Sequence, residues 1–151
     1  MNSWRDIVHI VTGAQNSVFG ITKDGKVLCA GSNCRGRFSY LEQQLEPYHD
    51  IIDLYAAGSE CEVVYLLSKD GTVAYTRGNT QAENTNGECI QKLDGHFYYT
   101  VFGQTSSNRL LSFSSRMNKE NDKESEGWNN VRSFSFGAAE YIRPFLIAII
   151  E

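Results

Sequence analysis

Hydrophobic residues alternate with polar ones, or form short blocks rich in Val, Ile, Tyr and Phe, along almost the whole chain. Gly, Asn and Asp separate these blocks. A period of two indicates strands, because successive side chains of a strand point to opposite faces of a sheet. The pattern predicts an all-β chain with eleven short strands, at residues 6–12, 17–22, 26–30, 51–56, 62–67, 72–76, 88–93, 98–104, 109–114, 131–136 and 141–150.

A competing helical pattern runs through residues 40–55. Its apolar residues follow an approximate helical stripe, comprising Tyr40, Leu41, Leu45, Tyr48, Ile52 and Tyr55. Pro47 interrupts the stripe, and a proline inside a helix removes a hydrogen bond and clashes with the preceding turn. We therefore expect at most a single helical turn, over residues 41–46.

Two Asp-Gly dipeptides, Asp24-Gly25 and Asp70-Gly71, each join two apolar runs. The most favoured two-residue hairpin turns need positive φ at both central positions, which Gly adopts freely and Asp tolerates. We expect a tight hairpin of this kind at each dipeptide.

Residues 114–127 form a segment with one apolar residue, Met117, among charges of alternating sign. Such a segment buries too little apolar surface to order itself. We expect a mobile loop within a single domain that covers residues 1–151.

The same order of features occurs in residues 4–33 and again in residues 48–79. Each copy has an aromatic residue, Asp with two aliphatic residues, a glycine, a strand, Asp-Gly, Val, and then Gly and Asn. A third copy is degenerate, with Asn108 in place of the turn glycine, and a fourth begins at Trp128 and ends with the strand that reaches Ile150. Asn is the residue that best replaces Gly in the left-handed conformation, so it supports the alignment. A repeat of about 40 residues indicates a propeller or solenoid.

Residues 13–36 resemble a repeat of the regulator of chromosome condensation family. The family pattern runs G-x-x-H-[ST], a strand, D-G-x-V and G-x-N-x-x-G, and it is matched here by Gly13, Ser17, Asp24, Gly25, Val27, Gly31, Asn33 and Gly36. Asn16 stands where the family usually has His, and Cys61 takes that place in the second copy. The resemblance implies a β-propeller that binds proteins. It does not carry over the nucleotide exchange on a small GTPase known for one member, because those contact loops have no matching residues here.

The number of repeats departs from the family pattern. A family propeller looks like a ring of about seven blades, whereas this chain holds three repeats and half of a fourth. We therefore expect propeller-like repeats of short antiparallel strands in an incomplete ring. A compact β-sandwich or barrel is the alternative.

The charge balance argues against two classes of partner. The chain has 14 Lys and Arg against 18 Asp and Glu, a formal charge of −4. It therefore has no overall positive field to hold nucleic acid or an anionic membrane. The longest apolar run, Phe145–Ile150, is far shorter than the roughly 20 residues of a membrane-spanning helix.

The cysteines and the N-terminal sequence indicate in which cellular compartment the protein is located. Cys29, Cys34, Cys61 and Cys89 are scattered without a C-x-x-C pair, and no signal-peptide core opens the sequence. We expect reduced thiols, no metal site and a cytoplasmic location.

No short motif with a known catalytic mechanism is present, and none implies a cofactor. The leading hypothesis is a non-enzymatic module that presents loops to a partner protein of unknown identity. A small acidic inhibitor or immunity protein that neutralises an enzyme or toxin is one alternative. An enzyme with an unrecognised site is another.

Two groups of residues are predicted to make contacts. Arginine and aromatic side chains, which are enriched at interface hot spots, concentrate in the loop 34–40 and recur at the equivalent place in the second copy, giving Arg35, Arg37, Phe38, Tyr40 and Arg77. The last strand is uncharged, and an open strand edge of this kind promotes aggregation unless it is covered. We expect the first strand of a second copy to cover it and form a homo-oligomer. The residues of this contact are Phe145, Leu146, Ile147, Ile149 and Ile150.

Overall fold

The computed structural model of the chain describes residues 4–13, 16–31, 37–58, 63–76, 88–96, 100–114, 128–137 and 145–150. Each of the eleven predicted strands overlaps an observed one, and the predicted strand residues 62, 98, 99 and 141–144 lie outside the described residues. The elements are β1 (Ile7–Thr12), β2 (Ser17–Thr22), β3 (Val27–Gly31), α1 (Arg37–Leu45), β4 (Ile51–Ala57), β5 (Val63–Ser68), β6 (Val73–Tyr75), β7 (Ile90–His96), β8 (Thr100–Thr105), β9 (Leu110–Ser114), β10 (Val131–Gly137) and β11 (Phe145–Ile150).

The strands form four small antiparallel sheets, one for each sequence repeat. Their orders are β1-β2-β3, β4-β5-β6, β7-β8-β9 and β10-β11. We number these sheets one to four, and β1, β4, β7 and β10 are their first strands. Successive first strands contact each other, β1 with β4, β4 with β7 and β7 with β10. These are propeller-like repeats, and the described strands close no barrel.

The described residues form three hydrophobic core clusters, each between two successive sheets. Between sheets one and two, Phe19 and Ile21 pack with Leu54. The cluster between sheets two and three includes Tyr65, Leu67 and Leu93, and the cluster between sheets three and four comprises Phe102, Leu110, Val131 and Phe134. A sheet is therefore stabilised mainly by its neighbours along the chain, as in other repeat proteins.

Backbone hydrogen bonds join the sheets at equivalent positions. The carbonyl that ends each hairpin turn accepts the N–H of the first residue of the next sheet. The bonds run from Ile51 to Gly25 at 3.1 Å, from Ile90 to Gly71 at 3.1 Å and from Val131 to Asn108 at 2.8 Å. The turns of the hairpins are thus also the junctions between repeats.

The hairpins at the Asp-Gly dipeptides are confirmed, but the expected turn type is wrong. The Gly25 N–H donates to the Thr22 carbonyl at 2.9 Å, and the Thr22 N–H donates to the Lys26 carbonyl at 2.9 Å. Gly25 and Gly71 have φ of 75° and 85°, whereas Asp24 and Asp70 are not among the described residues with positive φ. Each glycine is therefore the fourth residue of a turn that starts at Thr22 or Ser68, and it closes that turn in the left-handed conformation, which is the arrangement of a three-residue hairpin loop with a bulge.

The helix α1 is longer than expected and begins earlier. The single turn predicted at residues 41–46 is in fact a helix of nine residues, Arg37–Leu45. Leu41 and Leu45, one turn apart, are buried in the first core cluster. Pro47 lies two residues beyond the helix, where proline is common because it cannot continue the helix. It terminates the helix instead of interrupting it.

The segment expected to be a mobile loop, residues 114–127, lies outside the described residues except for Ser114, which ends β9. No helix in the described part of the chain is long and apolar enough to span a membrane.

Candidate functional site

The first strand of every sheet carries a β-bulge at the same place. The pairing register shifts between its first and third residues, at Ile7/His9, Ile51/Asp53, Ile90/Lys92 and Val131/Ser133. A bulge leaves one extra residue outside the ladder. That residue is solvent-exposed in each sheet, and the four are Val8, Ile52, Gln91 and Arg132.

In each of the first three sheets, the side chain of the residue after the bulge contacts the next sheet. His9 Nε2 lies 3.4 Å from Asp53 Oδ1, which forms an ion pair when the imidazole is protonated. Asp53 Oδ2 accepts the N–H of Leu93 at 3.1 Å. Lys92 Nζ donates to the carbonyl of Phe134 at 3.2 Å and lies 5.1 Å from the centre of its ring. Polar side chains thus connect all four sheets along their first strands.

The third junction has an additional polar contact. Gln104 Nε2 donates to the carbonyl of Val131 at 2.6 Å. Gln104 is buried, and its strand position corresponds to Ile21 and Leu67 in the first two sheets. A buried amide needs such a partner, so the degenerate third repeat holds the fourth sheet partly by hydrogen bonding.

Two open grooves lie between the first strands. The groove between β1 and β4 has a volume of about 390 Å³ and is lined by Val8, His9, Ile52, the first hairpin turn and Lys69 of the second. The groove between β4 and β7, of about 570 Å³, is lined by His9, Ile52, Asp53, Gln91 and Lys92 among others. Because His9 and Ile52 line both grooves, the two form one continuous surface. We call it the inner-strand surface and define it by Val8, His9, Ile52, Asp53, Gln91 and Lys92.

The rim of the first groove carries charges of both signs. Lys23, Lys69 and Asp24 line it. The Thr22 hydroxyl donates to Asp24 Oδ1 at 2.5 Å and, together with Lys26, lowers the pKa of that carboxyl. In the next sheet the hydroxyl and N–H of Thr72 donate to Asp70 and lower its pKa likewise. Both turn carboxylates are therefore ionised at neutral pH.

The residues predicted to bind a partner are only partly placed. Arg37, Phe38 and Tyr40 lie on the backbone of α1, so the expectation that the whole segment 34–40 is a loop is wrong. Arg35 and Arg77 lie outside the described residues. The contact role of these five residues stays a prediction.

The predicted self-association strand is confirmed as a strand. It is β11, which pairs with β10. Ile149 and Ile150 are 56% and 58% exposed. The side chains of Phe145, Leu146 and Ile147 are outside the description. The self-association role stays a prediction.

The bulge positions were missed at the sequence level, although a signal for them exists. Two adjacent aliphatic residues open β1 and β4, at Ile7-Val8 and Ile51-Ile52. In a regular strand one residue of each pair faces solvent, so such a pair breaks the period of two. Among the residues that the structure describes, no group of three or more His, Cys, Asp or Glu could hold a metal ion.

Comparison with protein families confirms the resemblance found in the first repeat. Residues 7–37 match the family model of the regulator of chromosome condensation (RCC1) repeat. This stretch begins at β1 and ends at the first residue of α1, so it contains the whole of sheet one. A comparison with curated proteins finds no match.

Proposed function

We propose that this chain is a non-enzymatic module that binds a partner protein through its inner-strand surface. The observation that carries the proposal is the exposure of two large aliphatic side chains at equivalent positions of neighbouring sheets. Val8 is 65% exposed and Ile52 is 45% exposed, and both line the first groove. Exposed apolar side chains that line the same groove are a common feature of contact sites.

The surroundings of these side chains also suit a protein partner. An apolar centre with a polar rim is the usual composition of a protein interface. His9, Lys23 and Asp24 supply such a rim around Val8 and Ile52. The hydrogen bonds along the first strands hold the surface in place, which reduces the entropy lost on binding.

The RCC1 repeat in residues 7–37 supports a role in protein interaction. The overall charge of −4 argues against nucleic acid as the partner. A second contact through the segment that begins α1 is proposed from the sequence, with Arg35, Arg37, Phe38 and Tyr40, and Arg77 as its counterpart. The cytoplasmic location likewise stays a prediction.

Quantitative affinity capture from the native cell tests this proposal. Wild-type chain, the double variant Val8→Ser with Ile52→Ser, and the control Glu42→Gln on the exposed side of α1 serve as baits. We expect the double variant to lose at least one protein that the wild type and the control retain in equal amounts. A separate bait, Arg35→Glu with Arg37→Glu, tests the second contact.

Two results would count against the inner-strand surface. One is an identical set of captured proteins for wild type and the Val8/Ile52 double variant. The other is loss of the same proteins with the Glu42→Gln control. Circular dichroism of each bait shows whether the strand signal is retained.

A further inference from the structure

One face of the first sheet is exposed where the other three sheets are covered. The fourth residue of each first strand points toward the preceding sheet. Leu54, Leu93 and Phe134 hold this position in sheets two to four and are 2%, 5% and 3% exposed, because each packs into the cluster between two sheets. Ile10 holds the same position in sheet one and is 62% exposed. This face of sheet one therefore has the residue type of an interface between two sheets, but none of the described sheets packs against it.

The fourth sheet has the opposite face exposed. Ile149 of sheet four occupies the strand position that Ile21 and Leu67 occupy in sheets one and two. Each of the three pairs with the third residue of the first strand of its sheet, namely Ser133, His9 and Asp53 respectively. Ile21 and Leu67 are fully buried against the following sheet. Ile149 is 56% exposed. Ile10 and Ile149 are therefore complementary halves of an interface that the chain forms twice internally, between sheets one and two and between sheets two and three, whereas Gln104 takes the place of the aliphatic residue at the third junction.

Sheet one also carries an aromatic residue that corresponds to residues packed at two of the internal junctions. Two ring carbons of Trp4 lie within 2.9 Å of the position that a Cβ on Gly20 would take, so the indole covers the sheet there. Tyr48 and Trp128, the corresponding aromatics of the second and fourth repeats, pack against the first and third core clusters. The exposed face of sheet one thus combines Trp4 with Ile10.

We propose that the chain associates head to tail with a second copy of itself, the Ile149 face of sheet four covering the Ile10 face of sheet one. The first two internal junctions are the pattern for this contact, with one aliphatic residue from each side, Ile21 with Leu54 and Leu67 with Leu93. The contact uses a different surface from the one proposed to bind a partner protein. It is heterologous, so it forms rings or open chains of copies.

The sequence predicted that β11 pairs edge to edge with β1 of another copy. The structure points to the faces of the sheets instead. The free edge of β1 corresponds to the free edges of β4 and β7, which remain at the ends of their sheets although their faces are covered. A first strand with one free edge is therefore a regular property of this repeat, whereas an uncovered Ile10 is not.

Light scattering coupled to size exclusion, over a range of micromolar concentrations, provides the first test. Wild type should exceed the 17.0 kDa of one chain. Ile10→Glu and Ile149→Glu should each weaken association roughly tenfold or more, as expected for charges placed in an apolar contact. Val8→Glu is the matched control and should associate like wild type. It lies on the same strand, but its equivalents Ile52, Gln91 and Arg132 are exposed, including in the covered sheets.

Mixing the two variants tests the head-to-tail geometry. Ile10→Glu retains an intact Ile149 face, and Ile149→Glu retains an intact Ile10 face. An equimolar mixture should therefore form a one-to-one dimer that neither variant forms alone.

Three results would overturn the proposal. They are a strictly monomeric wild type, a Val8→Glu variant as impaired as Ile10→Glu, and a mixture that stays monomeric. Circular dichroism checks the fold of each variant. If a glutamate disturbs it, Ile10→Ser and Ile149→Ser replace the charged variants under the same three criteria.

Discussion

Single residues in the left-handed conformation connect each hairpin to the next repeat. Gly25, Gly71 and Asn108 occupy this position with φ between 61° and 85°. A Cβ on Gly25 would lie 2.5 Å from the Cα of Asp50, and one on Gly71 would lie 2.7 Å from the Cβ of Cys89. Glycine is thus required at two of these junctions for both its conformation and its size.

Replacing either glycine should therefore weaken the fold. We expect Gly25→Val and Gly71→Val each to lower the free energy of unfolding by about 2–4 kcal/mol, because a β-branched residue fits badly at positive φ and meets the next sheet. Asn108→Gly is the control and should change it by less than about 1 kcal/mol, since both residues tolerate this conformation. Urea unfolding measures all three. Wild-type midpoints for both valine variants would contradict the assigned turn geometry.

Glu88 connects the start of the third repeat to its hairpin turn. It accepts a hydrogen bond from the Ser107 hydroxyl at 2.7 Å and forms an ion pair with Arg109. The Ser107 hydroxyl is the main cause that lowers the pKa of Glu88 below its ordinary value of 4.5, with further contributions from Thr105 and Arg109. The ionised carboxylate is therefore bound more favourably in the folded chain than in the unfolded one.

This shift predicts a loss of stability in acid. A carboxyl whose pKa is lower in the folded state stabilises the fold above pH 4.5, and this contribution disappears as the pH falls through the folded value. The difference in melting temperature between wild type and Glu88→Gln should thus be largest near neutral pH and shrink below 4.5. Ser107→Ala should show a smaller difference with the same pH dependence. A difference that does not vary with pH would contradict the role of the ionised carboxylate.

At the scale of elements, the helix α1 covers the junction between the first two sheets. Leu41 and Leu45 are 7% and 2% exposed in the first core cluster, and Tyr48 packs against the same cluster after the helix ends. The helix is therefore stabilised by tertiary packing, since nine residues are too few for a stable isolated helix.

Truncating the helix contact should destabilise the whole chain. Leu45→Ala removes a buried side chain and leaves a cavity, so we expect a loss of about 2–4 kcal/mol in the free energy of unfolding. Glu42→Ala, on the exposed side of the same helix, should change it by no more than about 0.5 kcal/mol. Chemical denaturation followed by tryptophan fluorescence measures both. Equal effects of the two variants would show that α1 does not pack as described.

At the scale of the whole molecule, each inner sheet has two neighbours among the described sheets and each outer sheet has one. Residues Val63, Val64, Tyr65, Leu66 and Leu67 of β5 are at most 1% exposed, whereas β1 exposes most of its residues. In an array of repeats that is stabilised mainly by contacts between neighbouring repeats, local unfolding starts at the end repeats.

Native-state hydrogen exchange should show this difference in local stability between the inner and the outer sheets. We expect the slowest amide exchange in β5 and β8 and faster exchange in β1 and β11, measured on the Ile10→Glu variant so that self-association does not protect the end sheets. Uniform protection across all four sheets would instead indicate one cooperative unit.

The sequence alone predicted the strands, the hairpins and the repeat, because these depend on local properties. Alternation with a period of two depends on neighbouring residues, and the left-handed preference of Gly25 or Asn108 belongs to the residue itself. The match of residues 7–37 to a known repeat depends on the same local pattern.

Tertiary structure decided the features that depend on which sheet lies against which. Leu54 and Ile10 are both aliphatic residues at the fourth position of a first strand, yet one is buried and the other is exposed. The bulges that align His9, Asp53 and Lys92, and the packing of Leu41 and Leu45 that stabilises α1, likewise involve contacts between residues far apart along the chain. Burial is a property of the neighbouring surface, so no single repeat contains the information that distinguishes a covered face from an open one.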